Sequence, residues 1–188
     1  IIVNPEINLH VGENCRINAT LENYRFNENP KDLGYIINDT SIVTIPYNKT
    51  GYMYLLKEGV AEIIVVYEGN GYYPPCNKTV ILTVTKGETR ITAEDEISLQ
   101  VGDSRKIDAN LTSIWENRNF TGLIFNSSDE SVVKIGQSSG IITAVGVGKA
   151  IITVSYPGSD KYYSSSKEIP VTVDYVPTQI EVGKTISL

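Results

Sequence analysis

Reactive side chains are scarce in this 188-residue chain: one histidine, two cysteines, one methionine and one tryptophan. The lone His10 leaves general-base catalysis and zinc binding without the partners they need. Positive charge is also short, with 16 Lys plus Arg against 22 Asp plus Glu and a net charge of −6. That balance argues against nucleic acid and anionic lipid as partners; its ordinary meaning is solubility. Long apolar runs are missing. Ile63 to Tyr67 is among the longest and is far too short to span a bilayer. No window sustains apolar spacing at i, i+3, i+4 and i+7, so no long helix is expected. Nucleophile motifs, phosphate loops and paired catalytic carboxylates are absent too. The chain therefore reads as neither an enzyme nor a cofactor- or metal-binding protein.

What is present favours strands. Valine, isoleucine, threonine and tyrosine are abundant, and 41% of residues are hydrophobic, which is not a disordered composition. The stretch from Gly140 to Tyr156 reads as two strands with apolar residues at or near alternate positions, and residues 51–67 are a worn copy of it. Aligning the chain on itself extends the repeat. Ile7-Asn-Leu-His-Val-Gly12 matches Ile97-Ser-Leu-Gln-Val-Gly102, 90 residues on, and Gly51, Gly59, Tyr67 and Val84 recur at an offset of 89. Tyr72-Tyr73 aligns with Tyr162-Tyr163, and residues 180–188 repeat the phase of residues 1–9. The expected organisation is one domain over 1–87, a second over 88–176, and over 177–188 a linker with the first strand of a third repeat. In the second repeat, strands are expected at about 89–93, 96–101, 105–111, 122–126, 131–135, 140–145 with 149–156, and 167–174. The predicted fold is all-β: two tandem antiparallel β-sandwiches, held in an extended arrangement by short connections. Ile1 is not a native start, so the chain is expected to be part of a longer protein.

Val101-Gly-Asp103, Asn126-Ser-Ser-Asp-Glu-Ser-Val-Val-Lys-Ile135 and residues 140–154 together closely resemble the bacterial Ig-like group 2 domain. The resemblance covers nearly all of the second repeat. The first keeps the framework and has lost much of the motif. A tryptophan common in the family is replaced by Phe125 here, and by Ile37 in the first repeat. The resemblance implies an Ig-like fold and a cell-surface setting, as in adhesin-like proteins of bacteria. The tract Tyr156 to Tyr163 also resembles repeats of adhesin-like proteins of methanogenic archaea.

The strongest chemical signal is the N-glycosylation sequon, found at Asn18, Asn38, Asn48, Asn77, Asn110, Asn119 and Asn126. With 15 Asn and 31 Ser plus Thr, chance supplies about 2.5. Alternation points most of them outward: Ile17, Ala19 and Leu21 inward turn Asn18 out, Ile107, Ala109 and Leu111 turn Asn110 out, Val80, Leu82 and Val84 leave Asn77 out, and Phe125 inward turns Asn126 out. Asn48 and Asn119 fall in expected loops. Covalent N-glycans are therefore expected, against the alternative that an Asn- and Thr-rich strand protein makes idle sequons.

Cys15 and Cys76 both lie in the first repeat. An intradomain disulfide is one reading; free thiols and bonds to another chain are the others. The family topology places Cys76 about 26 Å along the last strand from the point that Cys15 approaches, well beyond disulfide reach. The acidic clusters Glu94-Asp-Glu96 and Ser128-Asp-Glu130 lack the alternating spacing of a calcium loop and read as solvated. Trp115 has no counterpart in the first repeat and, with Tyr162 and Tyr163, marks a candidate contact surface, although packing against the domain's own edge is the preferred reading of the tyrosine pair. The expected role is a structural spacer in an extracellular glycoprotein, with neighbouring Ig-like repeats or identical subunits as partners. Rival readings are a filament subunit assembled head-to-tail by strand addition, an adhesive module binding cell-surface glycans or proteins through its loops, and an accessory domain of a carbohydrate-active enzyme.

Overall fold

A computed structural model describes residues 1–22, 33–46, 51–115 and 119–181. Seventeen strands and no helix are found among them. The first nine are β1 (Glu6–His10), β2 (Cys15–Arg16), β3 (Gly34–Ile37), β4 (Val43–Thr44), β5 (Tyr52–Leu55), β6 (Gly59–Tyr67), β7 (Cys76–Thr85), β8 (Thr89–Ala93) and β9 (Ile97–Gln100). They are followed by β10 (Ser104–Lys106), β11 (Ala109–Ser113), β12 (Asn119–Phe120), β13 (Ile124–Ser127), β14 (Val133–Ile135), β15 (Ile141–Ala144), β16 (Gly148–Tyr156) and β17 (Ser165–Asp174).

The chain is all-β, and its sheets come in matching sets. A four-stranded sheet runs β1-β7-β6-β3 and a three-stranded sheet β2-β5-β4. The same plan returns as β9-β17-β16-β13 and β10-β15-β14, with a further sheet of order β12-β11-β8. Two compact units result: residues 1–90 with 111–120 and 157–165, and residues 91–110 with 121–156 and 166–188. The units therefore do not follow the sequence repeat from end to end.

In the first unit, alternate residues of β6 (Ala61, Ile63, Val65, Tyr67) and β7 (Val80, Leu82, Val84) are buried, as are Val43, Met53 and Leu55 of the opposing sheet. This period of two puts one face of each sheet into a shared core and the other into solvent. The second unit repeats the pattern with Ala150, Ile152, Val154, Ile169, Val171 and Val173 against Val133, Ile142 and Ala144. Each Val, Leu, Ile or Met side chain fully removed from water contributes on the order of 1.5–3 kcal/mol before the cost of ordering the chain.

Three features depart from the expectation. The sheets are not wholly antiparallel: β1 pairs parallel with β7, and β9 parallel with β17. A parallel pair needs a long crossover, and some 65 residues separate these partners. Next, the strand expected over 105–111 is broken at Ile107. β10 pairs with β15, whereas β11 pairs with β12, so the chain changes sheets there while Ile107 and Leu111 both stay buried. Finally, β9 pairs one residue later than β1. Ile81 donates its N–H to Pro5 O at 2.8 Å, and its counterpart Pro170 has no N–H to donate, so the second ladder begins at Val171↔Ile97.

Gly51 and Gly140 illustrate how closely the two plans agree. Their φ values are +68° and +65°, a left-handed conformation that L side chains avoid. A Cβ at Gly51 would lie 2.8 Å from the Tyr35 hydroxyl, and one at Gly140 would lie 2.9 Å from the Phe125 ring. Tyr35 pairs with Val65 and Phe125 with Val154, so Tyr35, and not Ile37, occupies the place of Phe125.

Candidate functional surface

The six sequon asparagines among the described residues, Asn18, Asn38, Asn77, Asn110, Asn119 and Asn126, are all exposed. Asn48 lies outside the described residues. Asn119 is not in a loop: it opens β12 and pairs with Thr112 in a short hairpin. Two-residue strands carry no alternation, so the sequence holds no sign of this one. Asn38 Oδ1 accepts the Glu62 N–H at 2.8 Å, and Ser128 Oγ accepts the Ile151 N–H at the same distance and the equivalent place. The sequons themselves do not recur. Asn18 aligns with Asp108, Asn38 with Ser128, Asn77 with Ser166, Asn110 with Thr20 and Asn126 with Ile36.

The cysteines are not joined. Cys15 pairs across from Met53 in the three-stranded sheet and Cys76 across from Tyr67 in the four-stranded sheet, and both thiols are free. The Cys15–Cys76 disulfide, one of the readings, is therefore not made. Burial pushes the Cys15 thiol above its usual pKa.

The acidic clusters have cationic or hydroxyl partners. Glu94 binds Arg105, with one contact at 2.7 Å, and Asp95 binds Lys167 at 2.8 Å. The Arg105 hydrogen bonds hold the Glu94 carboxyl below the usual range. Asp129 accepts from the Ser131 hydroxyl and N–H at 2.6 and 2.9 Å, which lowers its pKa; Asp39 and Ser41 repeat the arrangement. Among the described residues, no cluster of three His, Cys, Asp or Glu side chains could hold a metal.

The aromatic residues behave differently from one another. Within the first unit, the Trp115 indole lies nearly parallel to the His10 imidazole, centroids 5.5 Å apart, and stays 42% exposed. His10 Nδ1 contacts Thr85 Oγ1 at 2.8 Å. Tyr162, read as either a contact residue or packed on its own domain, is only 7% exposed and packs on Phe120 at 4.8 Å. Its backbone flanks Gly87, whose N–H donates to Lys161 O while Tyr163 N–H donates to Gly87 O, both at 2.9 Å. A Cβ at Gly87 would fall 2.5 Å from Val11 O, so only glycine fits there. Tyr163 remains exposed.

The loop bonds also correct the alignment of the tyrosine pairs. Asn70 N–H donates to Tyr73 O at 3.0 Å, and Ser159 N–H to Tyr162 O at 2.9 Å. Tyr73, not Tyr72, is therefore the counterpart of Tyr162. Tyr72 is 92% exposed and aligns with Lys161.

Sequence reasoning missed Tyr52 and Tyr54. Both project outward from β5, and the Arg16 guanidinium lies 5.4 Å over the Tyr52 ring. A usable signal was present, because their counterparts are Ile141 and Thr143.

No protein-family profile matches the chain, and no curated protein matches it. Solved structures do. Domains 1–6 of surface layer protein SbsC align at a TM-score of 0.44 and 18% identity over 80% of this chain, which spans 22% of that structure. The insect immune protein hemolin aligns at 0.40 and 14%, covering 92% of this chain and 46% of its own. Fibronectin(III)-like modules of CbhA from Clostridium thermocellum align at 0.39 and 12%, over 97% and 99%.

Proposed function

We propose that the chain is a structural, non-catalytic segment of an extracellular, N-glycosylated surface protein, built from bacterial Ig-like group 2 repeats over 1–87 and 88–176 with a third beginning in 177–188. Its work is to supply length and a hydrated, protease-resistant surface between other parts of that protein. One observation carries this reading: every described sequon asparagine is exposed, although none has a sequon at the equivalent place in the other repeat. A shared scaffold alone would not generate outward sequons at unrelated positions. Glycans there would cover strand faces and edges that otherwise invite pairing with other chains. The test is the mass of the protein isolated from its native source, before and after chemical removal of glycans. The expected result is a loss of several glycan masses; an unchanged mass overturns the reading.

A further inference from the structure

One cleft in the first unit, about 460 Å³, is lined from four separate stretches of chain. Glu13 and Asn14 come from the β1–β2 turn, Tyr54 from β5, Trp115 from beyond β11, and Lys161 from the β16–β17 loop, above the packed rings of Phe120 and Tyr162. Its volume lies within the roughly 300–1,000 Å³ range of small-molecule sites.

We propose that this cleft is a binding site for a neutral oligosaccharide, with Trp115 and Tyr54 as stacking platforms and Glu13, Asn14 and Lys161 as hydroxyl partners. The assignment goes beyond the spacer role and does not depend on glycans being attached to this chain.

Four observations support it. First, the aromatics are presented rather than buried: Tyr54 is 56% and Trp115 42% exposed. The stack on His10 fixes the indole plane in advance, which lowers the entropy lost on binding. A sugar ring offers a face of C–H groups that packs on such a π surface.

Second, the polar groups suit hydroxyls, which both donate and accept. Glu13 accepts, Lys161 donates, and the Asn14 amide does both. Glu13 Oε2 is held by the His10 N–H at 3.1 Å, which positions the carboxylate.

Third, the charges of Glu13 and Lys161 balance. The described lining therefore carries no excess positive charge for phosphate or nucleic acid, in a chain of net charge −6.

Fourth, the turn that supplies Glu13 is common scaffold and the rings are not. Gln100 N–H donates to Asp103 at 2.8 Å just as His10 N–H does to Glu13, yet Tyr54 is replaced there by Thr143. The aromatic surface has been added to a plain framework at one place.

Trp115 is the only tryptophan, so its emission reports on the cleft directly. Cellohexaose, chitohexaose and linear mannohexaose would be titrated separately into the 188-residue chain. At least one should give a saturable emission change by roughly 1 mM sugar, a binding free energy near −4 kcal/mol. Tyr54→Ala should weaken that binding about tenfold, while Tyr72→Ala, a highly exposed ring in the β6–β7 loop, should leave it unchanged. Amide NMR shifts should localise to residues 12–14, 54–56 and 161–162. Failure of all three sugars to saturate overturns the assignment, as does equal binding by Tyr54→Ala with an unaltered amide spectrum, or shifts centred elsewhere. Saturable binding of an unrelated peptide in place of any sugar would also overturn it. Because the readout is binding, a negative result leaves the glycosylation reading intact.

Discussion

Two halves of this molecule were built on one plan and finished differently. The strand order β1-β7-β6-β3 returns as β9-β17-β16-β13, and Gly51 over Tyr35 returns as Gly140 over Phe125. Buried positions change only from one apolar residue to another, as Leu55 against Ala144, whereas changes of chemical character point outward or sit in loops: Tyr52 and Tyr54 against Ile141 and Thr143, and sequons with no counterpart. The core keeps its apolar character because an unpaired polar group there would be costly, while its volumes are redistributed among neighbours. Outward positions carry no such constraint and are free to take on chemistry. The comparison teaches that function should be sought where the halves disagree.

The largest effects should come from matched core positions. Ile63 and Ile152 are both 0% exposed and stand at equivalent points of β6 and β16. Ile63→Ala and Ile152→Ala should each cost about 2–5 kcal/mol, through lost burial plus the cavity left behind. Urea denaturation of the two variants checks this. A loss in one half several times that in the other would break the claim of a common core.

Smaller but still clear losses are expected at the glycine pair. Gly51→Ala and Gly140→Ala each impose a left-handed conformation costing about 1–2 kcal/mol, and each new methyl must displace an aromatic ring. Thermal unfolding should show both variants destabilised. If either were neutral, the shared geometry at that corner would be wrong.

The smallest effect separates the halves. The Glu94–Arg105 pair exists only in the second, where the first has Asn4 and Cys15. The Glu94 pKa is lowered in the folded state, so its contribution is present above the unfolded value and lost as pH falls through the lowered one. Both side chains are partly exposed, so solvent screening keeps the contribution below about 1 kcal/mol. Glu94→Gln should remove that part of the acid sensitivity, measured by urea denaturation between pH 3 and 6. An unchanged pH dependence would sink the assignment.

The core was readable in the sequence because alternation survives wherever a strand stays half-buried. Ala150, Ile152 and Val154 are buried as their spacing requires. Pairing direction was not readable, since β1 beside β7 alternates in the same way whether parallel or antiparallel. The break at Ile107 was hidden for a related reason: Ile107 and Leu111 remain inside although the strand changes partners. The tyrosine pairs misled by one residue because identity, not the Asn70 and Ser159 turn bonds, set their alignment. Trp115 was legible as an addition, having no counterpart. The cleft around it was not, because its residues come from distant stretches that only folding brings together.

The claim that the outward faces carry the chemistry meets its most direct test in site-resolved glycopeptide mass spectrometry of the native protein. The account predicts occupied asparagines in both halves, among them Asn77 and Asn126, which lie on exposed strand positions. Bare asparagine at every sequon, in protein recovered from its own source, would contradict it.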